Sequence, residues 1–278
     1  MNAVGTIRER QASRGMACAR ASQRTFIGGA ALLFAASTTV TIVRCRSMSA
    51  MGEMPMPGGW TMSMAWMRMP GQTWIGVAAS FLGMWTMMMV AMMLPSLVPA
   101  LWYYRQALVR LGHTQLGQLS ALVGTGYFLV WSVFGLAAFA LGVALAAIAM
   151  QLPELARGVP VATSVVVLIA GALQFTAWKA HHLAHCRTTP ACDAPLPADA
   201  ATAWRHGLRL GRHCLVCCTG MTAILLVVGV MDWRAMALVT AAITAERLAP
   251  EGERVARVIG ALVVAAGLLL LTRATGLA

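Results

Sequence analysis

The stretch MWTMMMVAMMLPS, residues 84–96, places six methionines within ten positions of an apolar run that ends at a proline. It belongs to a longer apolar segment, 73–94. As a helix, that segment can cross the ~30 Å apolar core of a bilayer, because a helix rises about 1.5 Å per residue. The same criterion gives seven candidate spans along the chain: 25–43, 73–94, 121–148, 160–179, 214–231, 233–249 and 255–272. We therefore predict an all-α, polytopic transmembrane helical bundle of about seven spans.

The fifth and sixth candidate spans are separated only by the tripeptide DWR, residues 232–234. The sequence leaves open whether 214–231 and 233–249 are two full spans or one re-entrant hairpin. A bundle of six spans is the alternative. With seven spans and a cytoplasmic N-terminus, the C-terminus would lie outside.

Composition supports a membrane protein. The chain is 59% hydrophobic and 11% charged, whereas soluble domains are about 25% charged. A net charge of +12 could suggest nucleic acid, but arginine in short loops more often reports orientation in a bilayer. We predict a basic cytoplasmic tail, 1–24, followed by one membrane domain, 25–278. Its first apolar run is too long for a signal peptide and reads as a retained anchor.

The distribution of positive charge predicts the orientation. With a cytoplasmic N-terminus, fifteen of the 21 basic residues lie inside, and only six lie outside: Arg44, Arg46, Arg68, Arg157, Arg234 and Arg273. This is the positive-inside pattern of a multi-pass protein. We expect a bacterial cytoplasmic (inner) membrane protein in contact with membrane lipid.

Two segments between spans carry unusual side chains. The outside segment 44–72 contains eight methionines among glycines and prolines, and because no helix or strand period fits it we predict a flexible loop. The inside segment 180–213 carries five of the six histidines and two of the seven cysteines. We predict it to be a second loop.

The methionines of residues 84–93 suggest a metal path. Helical positions four apart stack on one face, so Met84, Met88 and Met92 form one row, and Met89 and Met93 form another with Trp85. Thioethers are ligands for soft metals such as Cu(I). The alternative is that these methionines only fill gaps in a packed bundle.

The cysteines predict a thiol site near the same membrane depth. The segment GRHCLVCC, residues 211–218, combines His213 with Cys214, Cys217 and Cys218. Two thiolates at Cys-x-x-Cys spacing can close on one metal, although redox pairs and buried structural thiols share this spacing. The segment WKAHHLAHCR, residues 178–187, adds His182, His185 and Cys186. The predicted metal ligands are Met84, Met88, Met89, Met92, Met93, His182, His185, Cys186, His213, Cys214, Cys217 and Cys218.

Three segments resemble a bacterial family of predicted metal-binding integral membrane proteins of unknown function. They are MWTMMMVAMMLPSLVP (84–99), QFTAWKAHHLAHCR (174–187) and HGLRLGRHCLVCCTGM (206–221). The resemblance implies that the family's pattern falls on Met92, Met93, Pro95, Lys179, Cys186, Cys214, Cys217, Cys218, Met221 and Glu246. Thr219 departs from it, because the family favours an aromatic residue after the paired cysteines.

Three functions fit these observations. The first is a soft-metal-binding membrane protein in copper transport, transfer or sensing, with Cu(I) as the expected metal and Zn(II) as its rival. Its partner would be a periplasmic copper-binding protein or another membrane subunit, and not nucleic acid. The second is a membrane thiol-disulfide oxidoreductase, the one enzyme considered, although we expect no enzyme. The third is an accessory subunit without metal, packed through small residues and methionines.

Overall fold

The computed structural model of the protein describes residues 3–50, 52–68, 71–187 and 199–276, with side chains from Gln23 onward except at 49, 50, 53, 185 and 187. Within these ranges the prediction of an all-α fold is confirmed. The helices are α1 (Ala3–Ala50), α2 (Trp74–Arg110), α3 (Leu116–Gln151), α4 (Pro153–Arg157), α5 (Val159–Leu173), α6 (Ala177–Arg187), α7 (Ala200–Val228), α8 (Trp233–Leu248) and α9 (Gly252–Ala274).

The number of candidate membrane spans is lower than seven. In the described part of the chain, five helices are long and apolar enough to cross a membrane, namely Gln23–Met48 within α1 and the whole of α2, α3, α7 and α9. A sixth is reached if the bent pair α5 and α6 counts as one span. The alternative prediction of six spans therefore fits the structure better than the prediction of seven spans.

The predicted sixth span, 233–249, forms α8, a helix of sixteen residues. At about 1.5 Å per residue it is roughly 24 Å long, which is shorter than a ~30 Å apolar core. It is nevertheless separate from α7, because Gly229 has a φ of 147°, and Asp232 caps the new helix by accepting a hydrogen bond from the Arg234 N–H. The predicted fifth span, 214–231, begins earlier than expected, with α7 starting at Ala200.

The predicted fourth span, 160–179, is broken. Helices α5 and α6 meet at an angle of 65°, with Gln174, Phe175 and Thr176 forming the turn between them. The Thr176 hydroxyl accepts a hydrogen bond from the Lys179 N–H at the start of α6. The apolar pattern runs through this turn without a glycine or proline, so the break was not visible in the sequence.

Both segments predicted as loops contain regular structure. In segment 44–72, strands β1 (Glu53–Met56) and β2 (Trp60–Ser63) pair as an antiparallel hairpin, followed by a 3₁₀ turn, Met64–Trp66. In segment 180–213, α6 continues to Arg187 and α7 begins at Ala200. Residues 188–198, which include Cys192, lie outside the described residues.

Glycines bring α3 and α7 close together. A Cβ at Gly126 would lie 2.8 Å from the Trp204 carbonyl oxygen, and a Cβ at Gly211 would lie 2.8 Å from the Tyr127 carbonyl oxygen. Gly207, on the same face of α7 as Gly211, meets the Val123 backbone in the same way. Small residues four apart are typical of closely packed membrane helices. This approach places the side chain of Tyr127 against the middle of α7.

Candidate metal centre

Helix α7 presents its sulfur atoms to the interior of the bundle. Cys214, Cys218 and Met221 lie at i, i+4 and i+7, so they share one face. All three are buried, with Cys214 1% and Cys218 2% exposed. Cys217 is also buried, on the neighbouring face toward α6. The spacing that predicted a thiol site therefore corresponds to side chains that point into the protein.

Cys214 lies at the centre of a group of sulfur atoms. Its Sγ is 3.9 Å from the Met93 Sδ and 4.0 Å from the Cys218 Sγ. The Tyr127 hydroxyl donates a hydrogen bond of 2.8 Å to the same Cys214 Sγ. Met93, Cys214 and Cys218 are named the sulfur triad below.

A second pair of thiols adjoins the sulfur triad. Cys186, on α6, donates a hydrogen bond of 3.5 Å to the His213 carbonyl oxygen, and its thiol lies near that of Cys217. Cys217 in turn interacts with Cys218. The four cysteines therefore follow one another from the α6 side to the Met93 side, as neighbouring thiols rather than disulfides.

The distances within the sulfur triad suit a small soft ion. Metal–thiolate bonds are about 2.3 Å long, so two sulfurs up to about 4.6 Å apart can share one ion. The two sulfur pairs that include Cys214 meet this condition. Among the described residues, no three His, Cys, Asp or Glu side chains converge closely enough to hold a metal by themselves. The third sulfur donor beside Cys214 and Cys218 is the thioether of Met93.

A buried ion pair supports the sulfur atoms from the α6 and α8 side. Lys179 Nζ lies 2.7 Å from a Glu246 carboxylate oxygen, and the two side chains are 5% and 2% exposed. The Gln174 amide donates to the other oxygen at 3.0 Å. Lys179 Nζ also donates to the Cys217 carbonyl at 3.0 Å. The ion pair thereby ties α6 and α8 to the α7 segment that carries the cysteines.

A second cation, Arg247, lies beside the thiols. Its Nη1 donates to the Ser96 hydroxyl at 3.1 Å, and its Nε is buried without a hydrogen-bond partner among the described residues. Its charge interacts with Cys214 and Cys218. Ser96 in turn donates to the Met93 carbonyl, next to Pro95, which lacks an N–H for the helix ladder. Arg247 therefore links α8 to the α2 turn that positions Met93.

The other predicted ligands are placed differently. Met88, Met89 and Met92 are buried in the core with Met93, and Met84 is partly buried. Both predicted rows are thus inside the protein, because α2 packs against α1, α3 and α8. Their burial fits packing as well as ligation.

The histidines do not join the sulfur triad. The His182 ring packs on Trp178 at 4.4 Å, and its Nδ1 lies 2.8 Å from the Trp178 carbonyl oxygen. His213 contributes its backbone carbonyl to Cys186. The side chain of His185 lies outside the described residues. The contribution of His182 to a shared site stays a prediction, because the described contacts of its ring are with Trp178 in its own helix.

Sequence reasoning missed Tyr127, which touches the centre of the triad. A tyrosine within an apolar span is a usable signal, because a buried hydroxyl needs a hydrogen-bond partner. The partner itself, 87 positions away in the chain, could not be read from local spacing.

Fold and site together define a helical bundle with candidate membrane spans and a buried thiol and thioether cluster. Residues 82–270 match the PpoB2 family, described as copper chaperone, and this chain belongs to that family. The match contains every residue of the sulfur triad and the whole of α7 and α8. The hairpin of β1 and β2 lies outside it. Comparisons with curated proteins and with solved structures gave no match. The role of the protein is therefore copper-related.

Proposed function

We propose that this protein is a membrane-embedded copper chaperone that carries Cu(I) at the sulfur triad. The observation that supports this most directly is the position of Cys214, whose Sγ lies within 4.0 Å of one thioether and one thiol at once. Copper is the cargo, received and released, rather than a permanent part of the protein. The five to six candidate spans fit a location within the inner membrane.

The donor set favours Cu(I) over Zn(II). Zinc in structural sites takes four ligands in a tetrahedron, drawn from cysteine, histidine and carboxylate. The described residues bring no three such groups together, and the third donor near Cys214 is the Met93 thioether. Thioether and thiolate ligands are characteristic of Cu(I).

One cation, Arg247, adjoins the two thiols of the sulfur triad. Binding Cu(I) requires cysteine in its deprotonated form, and two thiolates around one Cu⁺ leave a net negative charge. Arg247 interacts with both Cys214 and Cys218 and can balance that charge. A buried anion is costly unless it is paired, so this arginine gives copper loading a compensating partner.

The second thiol pair offers a route for release. Cys217 lies next to Cys218 in the chain and interacts with Cys186. A Cu(I) ion can therefore pass from one sulfur pair to the next by exchanging one ligand at a time. Cys186 is only partly buried, so a partner protein can approach it. We propose another copper-binding protein or membrane subunit as that partner.

The test is Cu(I) binding by detergent-purified protein under anaerobic, reducing conditions, measured in competition with a chromogenic Cu(I) chelator. The variant Cys214→Ser/Cys218→Ser removes two donors of the sulfur triad. We expect its affinity at this site to fall by at least about a hundredfold, above what outer-shell substitutions cost.

The matched control is Cys45→Ser, which changes a thiol that is equally buried, at 2% exposure, but lies on α1 away from the triad. This variant should bind as wild type does. Equal Cu(I) affinity in wild type, control and double variant would overturn the proposed function.

A further inference from the structure

The hairpin of β1 and β2 places its methionines on one face. Met54 pairs directly with Met62, and Met56 with Trp60. Directly opposed residues share a face, and side chains alternate between faces along each strand. The three methionines and Trp60 therefore share one face, while Pro55 and Thr61 lie on the other.

Burial follows the same alternation. Pro55 and Thr61 are exposed, Met54 and Met56 are partly buried, and Met62 is only 3% exposed. The methionine face is therefore turned toward the protein, yet two of its three methionines remain within reach of solvent. A face that served only as packing would not need thioethers so close to water.

The hairpin is docked on the bundle. The Trp60 indole N–H donates to the Ala156 carbonyl at 2.8 Å. At the turn, Gly58 has a φ of +96°, and a Cβ there would lie 2.9 Å from the Arg157 Cα. Glycine is thus required both by the backbone conformation and by the contact. The methionine face is consequently held in a defined position.

The hairpin lies far from the sulfur triad. The Trp66 ring, just after β2, packs on Phe81 at 5.3 Å near the start of α2. Met93 follows Phe81 by twelve residues on the same helix, which corresponds to about 18 Å along the axis. A metal held by the hairpin cannot also touch Cys214. The two sulfur groups would be separate sites.

We infer that the hairpin face formed by Met54, Met56 and Met62 is a second Cu(I) site, built from thioethers alone, which receives copper at the end of the bundle opposite the cysteines. Thioethers carry no proton to lose, unlike thiols, and remain ligands in an oxidising compartment where paired thiols would oxidise. The arginine distribution predicts that the hairpin faces that compartment. This inference rests on the copper role proposed above and assigns its entry point.

The experiment uses the full chain in detergent and Ag(I) as a redox-stable substitute for Cu(I). Bound Ag(I) per chain is compared between wild type and Met54→Leu/Met56→Leu/Met62→Leu. The matched control is Met87→Leu/Met150→Leu/Met236→Leu. Like the hairpin variant, it changes two solvent-accessible methionines and one buried methionine. We expect the hairpin variant, and not the control, to lose roughly one ion per chain.

A second readout locates the ion without any substitution. Peroxide converts accessible methionine to the sulfoxide, and the rate at each position can be followed by mass spectrometry. Ag(I) should slow oxidation of Met54 and Met56 several-fold and leave the exposed Met87 and Met150 unchanged. Equal oxidation rates with and without Ag(I), or an unchanged ion count in the hairpin variant, would overturn the inference.

The two proposals fail separately. If Cys214→Ser/Cys218→Ser keeps the ion that the hairpin variant loses, the hairpin is a site of its own. If the cysteine variant binds Cu(I) as wild type does while the hairpin variant loses its ion, the inference stands and the sulfur triad is not the carrier site. If only the cysteine variant loses metal, the hairpin methionines are packing residues and the inference is wrong.

Discussion

The sulfur triad and the hairpin both collect sulfur, but their surroundings differ. Around the triad lie the buried ion pair of Lys179 and Glu246 and the partly buried Arg247, supplied by α6 and α8. At the hairpin, thioethers share one face of a two-stranded sheet with Trp60, and two of them are partly within reach of solvent. Thiolates require charge compensation and thioethers do not. From this difference we expect the sulfur triad to bind Cu(I) tightly and in a charge-dependent way, and the hairpin to bind Cu(I) so that it exchanges easily.

The largest expected effect comes from removing the charged support of the triad without touching a sulfur atom. Glu246→Ala leaves Lys179 buried and unpaired, which should lower the free energy of unfolding by about 3–5 kcal/mol. Thermal unfolding in detergent measures this loss. Glu251→Ala is the control, because its ion pair with Arg254 is mostly exposed and should contribute less than about 1 kcal/mol. Similar losses in the two variants would mean that the buried pair does not support the site.

A smaller effect is expected from the hydrogen bond at the centre of the triad. Tyr127→Phe removes the hydroxyl that donates to Cys214. Groups that orient a metal ligand typically change affinity by about 10–100-fold, so Cu(I) affinity should fall within that range. Competition with a Cu(I) chelator provides the measurement. Tyr103→Phe, at an exposed tyrosine, should bind Cu(I) as wild type does. An unchanged affinity in Tyr127→Phe would mean that the Tyr127 hydroxyl does not contribute to Cu(I) binding.

The smallest effect concerns the hairpin. Trp60→Phe keeps the ring packing but loses the hydrogen bond to the Ala156 carbonyl, a change of about 1 kcal/mol. Because this bond joins the hairpin to the bundle, hydrogen exchange should speed up across residues 53–63 while the unfolding temperature of the bundle stays the same. Trp233→Phe, at an exposed tryptophan, should leave exchange in the hairpin unaltered. If the bundle itself unfolds at a lower temperature in Trp60→Phe, the hairpin and the bundle are one cooperative unit. The hairpin would then not be a separate region of the protein.

Local sequence patterns predicted the all-α fold and several of the long helices. Long apolar runs predicted α2, α3 and α9, because a span must satisfy its backbone hydrogen bonds within itself. The Cys-x-x-Cys spacing pointed to Cys214 with Cys217, whereas the structure brings Cys214 to Cys218, four positions away on the same helical face. Met93 was a candidate ligand from its place in the methionine row.

Features that depend on tertiary contacts were not predicted. The turn at residues 174–176 contains no glycine or proline, and the polar side chain of Gln174 is directed to Glu246, 72 positions away. The hairpin was missed because glycines and prolines obscure the alternation of Met54, Met56 and Met62. The packing of the His182 ring on Trp178 within its own helix was likewise not predicted. In each case the deciding interaction is set by the three-dimensional arrangement rather than by neighbouring residues in the chain.

Copper K-edge X-ray absorption can test directly whether the sulfur triad holds the copper. The sample is the Cu(I)-loaded protein carrying Met54→Leu/Met56→Leu/Met62→Leu, so that any copper observed is bound elsewhere than at the hairpin. If the sulfur triad is the carrier site, the first shell will consist of sulfur alone, at about 2.3 Å, and Met93→Leu will reduce the number of sulfur neighbours. A first shell dominated by nitrogen or oxygen, or an unchanged spectrum in Met93→Leu, would show that the sulfur triad is not the carrier site.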